Sequence, residues 1–351
     1  MPSDRNARSL AYNATPISVP HLPRGEAEAE RVRNRCRRWN FLVLGLTLAL
    51  AAMVIALNYH LNVYGVFGDS RGRKLVVYDN ERTTKYLFSY NYIPANFDAL
   101  LVGTSISDNW DTGQLTSMRA YNASLNGGDI SEEALLVGNI LQRAHPRIMM
   151  FVIHPYLTEA SGRKSGYMNP QEYWGALGSI QLLRVYWTKW QVERGLYKRE
   201  FNEFGQDDYD IRPALPGMGV PPGTESLLAG QSALPVNAAA LKEYGELLQK
   251  VRSSGTKIVG IIPPVESGLW RARGHAYQDY YDKIKLLFQS GELIVDFNAG
   301  EFDELRDHPA NFPDGIHLSR YAALQIVEVL NQKLGNGQYH HAALNDYVSG
   351  K

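Results

Sequence analysis

The sequence predicts an α/β chain: a three-layer sandwich built on a five-stranded parallel sheet, preceded by one N-terminal transmembrane helix. Three observations predict it. Five short apolar runs, each closed by Gly, Pro or Asn, follow one another from about Asp98. Helical repeats separate them, and strand alternating with helix argues for a parallel sheet covered on both faces. A long uncharged run lies near the N-terminus.

Residues 1–38 read as a flexible basic tail, since Pro16, Pro20, Pro23 and an acidic EAEAE stretch show no apolar periodicity. From Trp39 to Tyr59 the chain carries no charge. At about 1.5 Å of rise per residue this run matches the ~30 Å hydrocarbon core of a bilayer, so 39–59 is the predicted membrane anchor. Arg31, Arg33, Arg35, Arg37 and Arg38 stand before it and keep that flank cytoplasmic by the positive-inside rule, which puts the bulk of the chain on the other side. Two competing readings stand beside it. Ala49-Leu50-Ala51 has the small-x-small form of a signal-peptide cleavage site, and a buried core helix can also be apolar.

Residues 60–97 have mixed polarity and read as a juxtamembrane connection. The domain at 98–335 contains the predicted strands DALLVGTS (98–105), MRAYNASL (118–125), RIMMFVIHP (147–155), TKIVGIIPP (256–264) and ELIVDFN (292–298). Helical spacing appears in SEEALLVGNILQRAH, in NAAALKEYGELLQKVRSSG, closed by Gly255, and in LSRYAALQIVEVLNQKLG, closed by Gly335. Ser107, Asp108 and Asn109 read as caps of a helix after the first strand. The segment at about 157–234 is too long for a plain connection and reads as a helical insertion. Its Trp174, Trp187 and Trp190 either fill a small core of the insertion or form a docking face, and Pro213, Pro216, Pro221 and Pro222 mark its second half as loop. Residues 336–351 read as a tail. His340-His341 has no third ligand in view there, so no metal site is predicted.

Composition excludes some classes. Lys and Arg number 36 against 36 Asp and Glu, which leaves no net field to attract a nucleic acid. Cys36 is the one cysteine, so neither an intramolecular disulfide framework nor a cysteine zinc cluster is available. No cofactor is indicated.

In an open parallel sheet, chemistry gathers beyond the carboxyl ends of the strands. There the sequence places Ser105 after the first strand, Asn122, Gly127 and Gly128 at the second, His154 at the third, and Asp314 and His317 just before the last helix. A serine hydroxyl needs a base, and the base needs a group that fixes its tautomer. Asp314 and His317, three residues apart, supply both. Gly127 and Gly128 let a backbone N–H approach a substrate carbonyl, and His154 reads either as a structural histidine or as an oxyanion or substrate contact. Together these residues form an acyl-transfer site.

With VGTS at the first strand, NASLNGG at the second and DGIH before the last helix, residues 98–335 resemble the SGNH (GDSL) hydrolase superfamily. The resemblance implies a flavodoxin-like sandwich with Ser105 as nucleophile, Gly127 as oxyanion donor, Asp314 as orienter and His317 as base. Thr104 stands where the family carries an acidic residue, and no asparagine matches its third block, a place that His154 roughly fills. The chain is similar to the family's membrane-anchored branch, the proteins of alginate O-acetylation and of teichoic-acid D-alanyl transfer. The stretch YDNERTTKYLFSYN resembles the lead-in of relatives in polysaccharide gene clusters. That similarity implies an O-acyltransferase or esterase for an exopolysaccharide or cell-envelope glycan. It also implies a bacterial inner membrane with the catalytic domain periplasmic, and a multispanning membrane acyltransferase as partner. Two other classes remain in view: a non-catalytic glycan-binding or assembly subunit, and a membrane-surface lipase or thioesterase.

Overall fold

The computed structural model describes residues 25–162, 166, 168–208 and 233–335. The expectations for residues 1–24, for Pro213, Pro216, Pro221 and Pro222, and for the tail with His340-His341 lie outside the described residues. The chain divides into two compact units, Met1–Met53 and Val54–Lys351.

Helix α1, Glu26–Leu61, is long and apolar enough to cross a membrane. None of its most apolar window is buried, which excludes the buried-core-helix reading. The helix starts well before Trp39. Glu, Ala and Arg are strong helix formers, so the basic stretch expected to be flexible tail continues the same helix from Glu26.

Residues 60–97, expected as a connection, belong to the folded core. Helices α2 (Glu81–Phe88) and α3 (Tyr92–Asn96) lie here, and Tyr86, Leu87, Phe88, Tyr92 and Phe97 are buried. Aromatic packing joins them to the sheet: Phe88, Tyr92 and Phe97 all meet the ring of Tyr121. Asn80 caps α2 by accepting from the Thr83 N–H.

Next come β1 (Ala99–Val102), the single-turn α4 (Ser105–Asp108), β2 (Ala120–Asn122), α5 (Ile130–Leu141) and β3 (Ile148–Val152). Helices α6 (Gln171–Gly178), α7 (Leu182–Glu193) and α8 (Ala238–Ser253) lead to β4 (Lys257–Ile262). Then follow α9 (Ser267–Lys285), β5 (Leu293–Asp296), α10 (Asp303–Asp307) and α11 (Arg320–Gly335). The pairings among these five strands are parallel, and the sheet order is β2-β1-β3-β4-β5.

Alternation along each strand divides the core in two. Leu100, Val102, Met149, Phe151, Ile258 and Ile262 face one layer, filled from α2, α5, α8 and α9. Ala99, Leu101, Ile148, Met150, Val152, Val259 and Ile261 face the other, filled from α11 and by Trp110, Phe297 and Phe312. Both faces are buried, which is why the strands read as nearly continuous apolar runs. Helix α9 carries no aliphatic repeat to announce it. Its buried stripe is Tyr277, Tyr280, Tyr281 and Ile284, at helical spacing.

In the insertion, Ala176, Leu182 and Val185 are the buried apolar residues of α6 and α7. The tryptophans do not fill a core of its own. Trp174 is 70% exposed, Trp187 58% and Trp190 40%. Residues 201–208 then return to the sheet edge, where the Asn122 N–H donates to the Phe204 carbonyl (2.7 Å).

Candidate active site

The strand order reverses between β1 and β3, because β1 pairs with β2 on one side and with β3 on the other. Crevices form beyond the carboxyl ends at such a switch point. Ser105 leaves β1 there as the first residue of α4, and His154 leaves β3 two residues beyond its end. A bridge between Thr104 and Leu125, with the Leu125 N–H donating to the Gly103 carbonyl (3.0 Å), brings the β2 loop alongside.

The loop before α11 supplies the rest. His317 lies 212 residues from Ser105 in sequence, yet its Nε2 is 3.0 Å from Ser105 Oγ. Its Nδ1 donates to Asp314 Oδ2 at 2.7 Å. That leaves Nε2 as the acceptor for the serine hydroxyl. Gly315 adopts φ +85°, a conformation glycine takes at little cost, and this folds the loop back on itself. Asp314 Oδ1 thereby accepts from the N–H groups of Ile316 (3.0 Å) and His317 (2.7 Å). Burial alone would raise the Asp314 carboxyl. The hydrogen bonds from the His317 ring and the two N–H groups outweigh it and hold the group below the usual carboxylate range. A carboxylate held ionised keeps the imidazole oriented and stabilises its protonated form.

The other predicted site residues divide. Gly127 takes φ +62°, and its N–H has no hydrogen-bond partner among the described residues. Gly128 differs, because its N–H is occupied by the Leu125 carbonyl (2.8 Å) and serves the turn. Asn122 is fully buried, and its side-chain amide donates to the carbonyls of Ser107, Asp108 and Trp110 while its oxygen accepts from the Ser124 N–H. With its hydrogen-bonding capacity consumed, Asn122 holds the end of α4 and is not available to a substrate.

His154 is buried, and its Nδ1 accepts a long hydrogen bond from the Tyr156 N–H (3.4 Å), which places the proton of the neutral ring on Nε2. Desolvation, with the neighbouring His317 adding to it, pushes its pKa down to about 3. It therefore stands beside His317 as a neutral donor.

Of the three expected caps, Ser107 and Asp108 lie inside α4, while Asn109 is its C-cap residue, with its N–H donating to the Ser107 carbonyl. Ser107 Oγ meets Ser124 Oγ at 2.8 Å. Asp108 is fully buried, and its Oδ1 lies 2.9 Å from Lys85 Nζ. Lys85 also donates to Glu81 Oε1 (2.7 Å) and to the Ser124 carbonyl (2.6 Å). Burial alone would lower the Lys85 ammonium, but the charges of Asp108 and Glu81 outweigh it and raise the group above its ordinary value. Glu81 Oε2 further accepts from the Asn126 N–H (3.1 Å), and Arg82 donates to the Asn126 carbonyl (2.7 Å) and pairs with Glu132. Helix α2 thus clamps the nucleophile's helix and the Gly127 loop together. Sequence reading missed this cluster, whose one visible signal was the i,i+4 pair of Glu81 and Lys85.

Among the described residues no group of three or more His, Cys, Asp or Glu could hold a metal ion. A cleft of about 1020 Å³ lined by Leu305, His308, Asn311, Arg320 and Tyr321 lies along α10 and α11, and neither Ser105 nor His317 lines it.

Fold and site together define an α/β sandwich with a hydrogen-bonded serine, histidine and aspartate at its switch point. No protein-family model matches the sequence, and no curated protein matches it. A solved structure described as a candidate platelet activating factor from Streptococcus pneumonia is similar at 14% identity and a TM-score of 0.36, covering 85% of this chain and 99% of that one.

Proposed function

We propose that the chain is a serine-dependent O-acyltransferase or esterase of the SGNH type, acting on an extracytoplasmic glycan and held to the membrane by α1. The observation that carries the proposal is the chain of hydrogen bonds from Ser105 through His317 to Asp314. Ser105 Oγ attacks the acyl carbonyl as its proton passes to His317 Nε2. The negative charge that develops on the carbonyl oxygen is met by the Gly127 N–H and by His154 Nε2–H. Collapse of the tetrahedral species expels the alcohol, which takes the proton back from His317 and leaves the acyl group on Ser105. A sugar hydroxyl, or water in the esterase form, then gives its proton to His317 and attacks that ester; the acyl–Oγ bond breaks, and His317 returns the proton to Ser105. His154 fills the place of the family's third-block asparagine.

The arginines before Trp39 support a cytoplasmic N-terminus and a periplasmic domain. A multispanning acyltransferase is the proposed source of the acyl group.

A serine-directed phosphonate probe tests the chemistry. Labelling of the parent protein is expected, with labelling lost in Ser105→Ala and in His317→Ala. A folded parent that takes no label overturns the reading in favour of a non-catalytic glycan-binding subunit. The exposed Trp174, Trp187 and Trp190 favour a second reading, a membrane-surface lipase or thioesterase. Faster turnover of long acyl-chain esters than of acylated sugars would select it.

A further inference from the structure

Helices α6 and α7 turn an apolar face to solvent that the fold itself does not use. Leu183, Trp187 and Trp190 recur at spacings of four and three along α7, so they form one stripe, while Leu182 and Val185 on the other side are buried. Ile180, whose carbonyl accepts from the Leu183 N–H, is 60% exposed beside the stripe, and Trp174 on α6 is 70% exposed. The rings of Trp187 and Trp190 stack at 4.8 Å with 23° between their planes. An exposed apolar stripe with stacked indole rings marks a surface that some apolar phase covers.

The place of the patch in the chain identifies that phase. Asn58, next to last in the uncharged run of α1, is buried, and its side-chain amide donates to the carbonyls of Leu177 (2.8 Å) and Ser179 (3.1 Å) at the end of α6. Its oxygen accepts from the hydroxyl of Tyr186 on α7 (2.7 Å). Both helices are therefore fastened to the last turns of the segment that is apolar enough to cross a bilayer. Between Gln171 and Arg199 the basic residues Arg184, Lys189, Arg194, Lys198 and Arg199 outnumber Glu172 and Glu193. Tryptophan, a flanking basic excess and attachment to a span's end suit the headgroup layer, where indole rings sit at the water boundary and cations meet anionic lipid.

We infer that α6 and α7 lie in the membrane interface, with Trp174, Leu183, Trp187 and Trp190 inserted among the lipid headgroups of the leaflet that α1 leaves. The inference does not depend on the acyl chemistry.

The test uses the full chain carrying Trp39→Phe, so that no tryptophan remains within the span, reconstituted in vesicles of phosphatidylcholine and phosphatidylglycerol. Acyl chains brominated near the headgroup should quench its tryptophan emission at least about twofold more than in the same chain carrying Trp174→Ser, Trp187→Ser and Trp190→Ser. Equal quenching in the two chains overturns the inference. Shielding of these tryptophans from aqueous iodide without quenching by brominated lipid also overturns it, because a protein partner or a second copy then covers the face. A nitroxide at Ile180→Cys in a Cys36→Ser chain gives a reading with every tryptophan intact. Greater accessibility to oxygen than to an aqueous nickel complex is expected, and the reverse order overturns the inference.

Discussion

Asn109, the residue after the nucleophile's helix, donates through Nδ2 to the carbonyl of Leu318, the residue after His317, at 2.8 Å. A buried amide thus ties the end of α4 directly to the loop that carries the histidine, across 209 positions of sequence. That tie and the Asp314–His317 hydrogen bond both hold the loop where His317 Nε2 lies 3.0 Å from Ser105 Oγ.

Asn109→Leu removes the tie without opening a cavity. Stability is expected to fall by about 1 kcal/mol, the net worth of one such hydrogen bond. Turnover is expected to fall much further, roughly 10- to 100-fold, because small displacements of a base are costly. Steady-state kinetics on a soluble ester check this. A positioning role lowers kcat with KM little changed, and Asn109→Asp, which cannot donate from the same atom, should resemble Asn109→Leu.

Lys85→Met leaves Asp108 buried without its cation. Removing one partner of a buried pair costs about 3–5 kcal/mol, so a large drop in the urea midpoint is expected. Replacing both residues, Lys85→Met with Asp108→Leu, should recover much of that stability but not the activity. The apolar pair no longer reaches the Ser124 carbonyl, and the Gly127 loop loses one of its supports.

His154 carries an acid-sensitive contribution with a definite sign. Its folded pKa, near 3, lies below the unfolded value of about 6.5, so the unfolded chain binds the extra proton first. Stability is therefore lost as pH falls from about 6.5 toward 3, by at most about 5 kcal/mol. Urea midpoints at pH 7 and pH 4 should lie closer together in His154→Asn than in the parent. As an amide donor, His154→Asn is also expected to keep activity within about tenfold, whereas His154→Leu should lose about 100-fold.

Glu133 on α5 is fully buried, and neither carboxyl oxygen has a hydrogen-bond partner among the described residues. Burial raises its pKa well above the ordinary value. Its contribution is fully present below the unfolded value of about 4.3 and is lost as pH rises through the folded one. Glu133→Gln should therefore raise the thermal midpoint at pH 8, by the equivalent of about 1–2 kcal/mol, and leave it nearly unchanged at pH 4. Scanning calorimetry at the two pH values reads the difference.

The five strands were legible because a sheet buried on both faces needs unbroken apolar runs, and Gly, Pro and Asn mark where each run stops. Helix α9 was not legible, since tyrosines rather than aliphatic residues make its buried stripe. Residues 60–97 misled for a related reason. Glu81, Arg82 and Lys85 look solvent-facing in a sequence, and only their partners Asp108, Asn126 and Glu132, distant in the chain, turn them inward. The tryptophans of α6 and α7 left two readings open, since an aromatic stripe at helical spacing suits a core or a docking face, and their exposure excludes the core.

By itself the sequence determined what local rules can determine: the strand order along the chain, the helices α5, α8 and α11, the apolar span, the strand ends where chemistry gathers, and the pairing of Asp314 with His317 within one turn. Only the tertiary structure decided which of those polar groups are spent and which are available. Asn122 and Gly128 have the same outward character in the sequence as His154 and Gly127, yet the first two have their donors consumed by neighbouring backbone. Hydrogen-bonding capacity is finite and is used up by whichever partner the fold brings near. The distance from Ser105 to His317 is likewise set by contacts that span the whole domain.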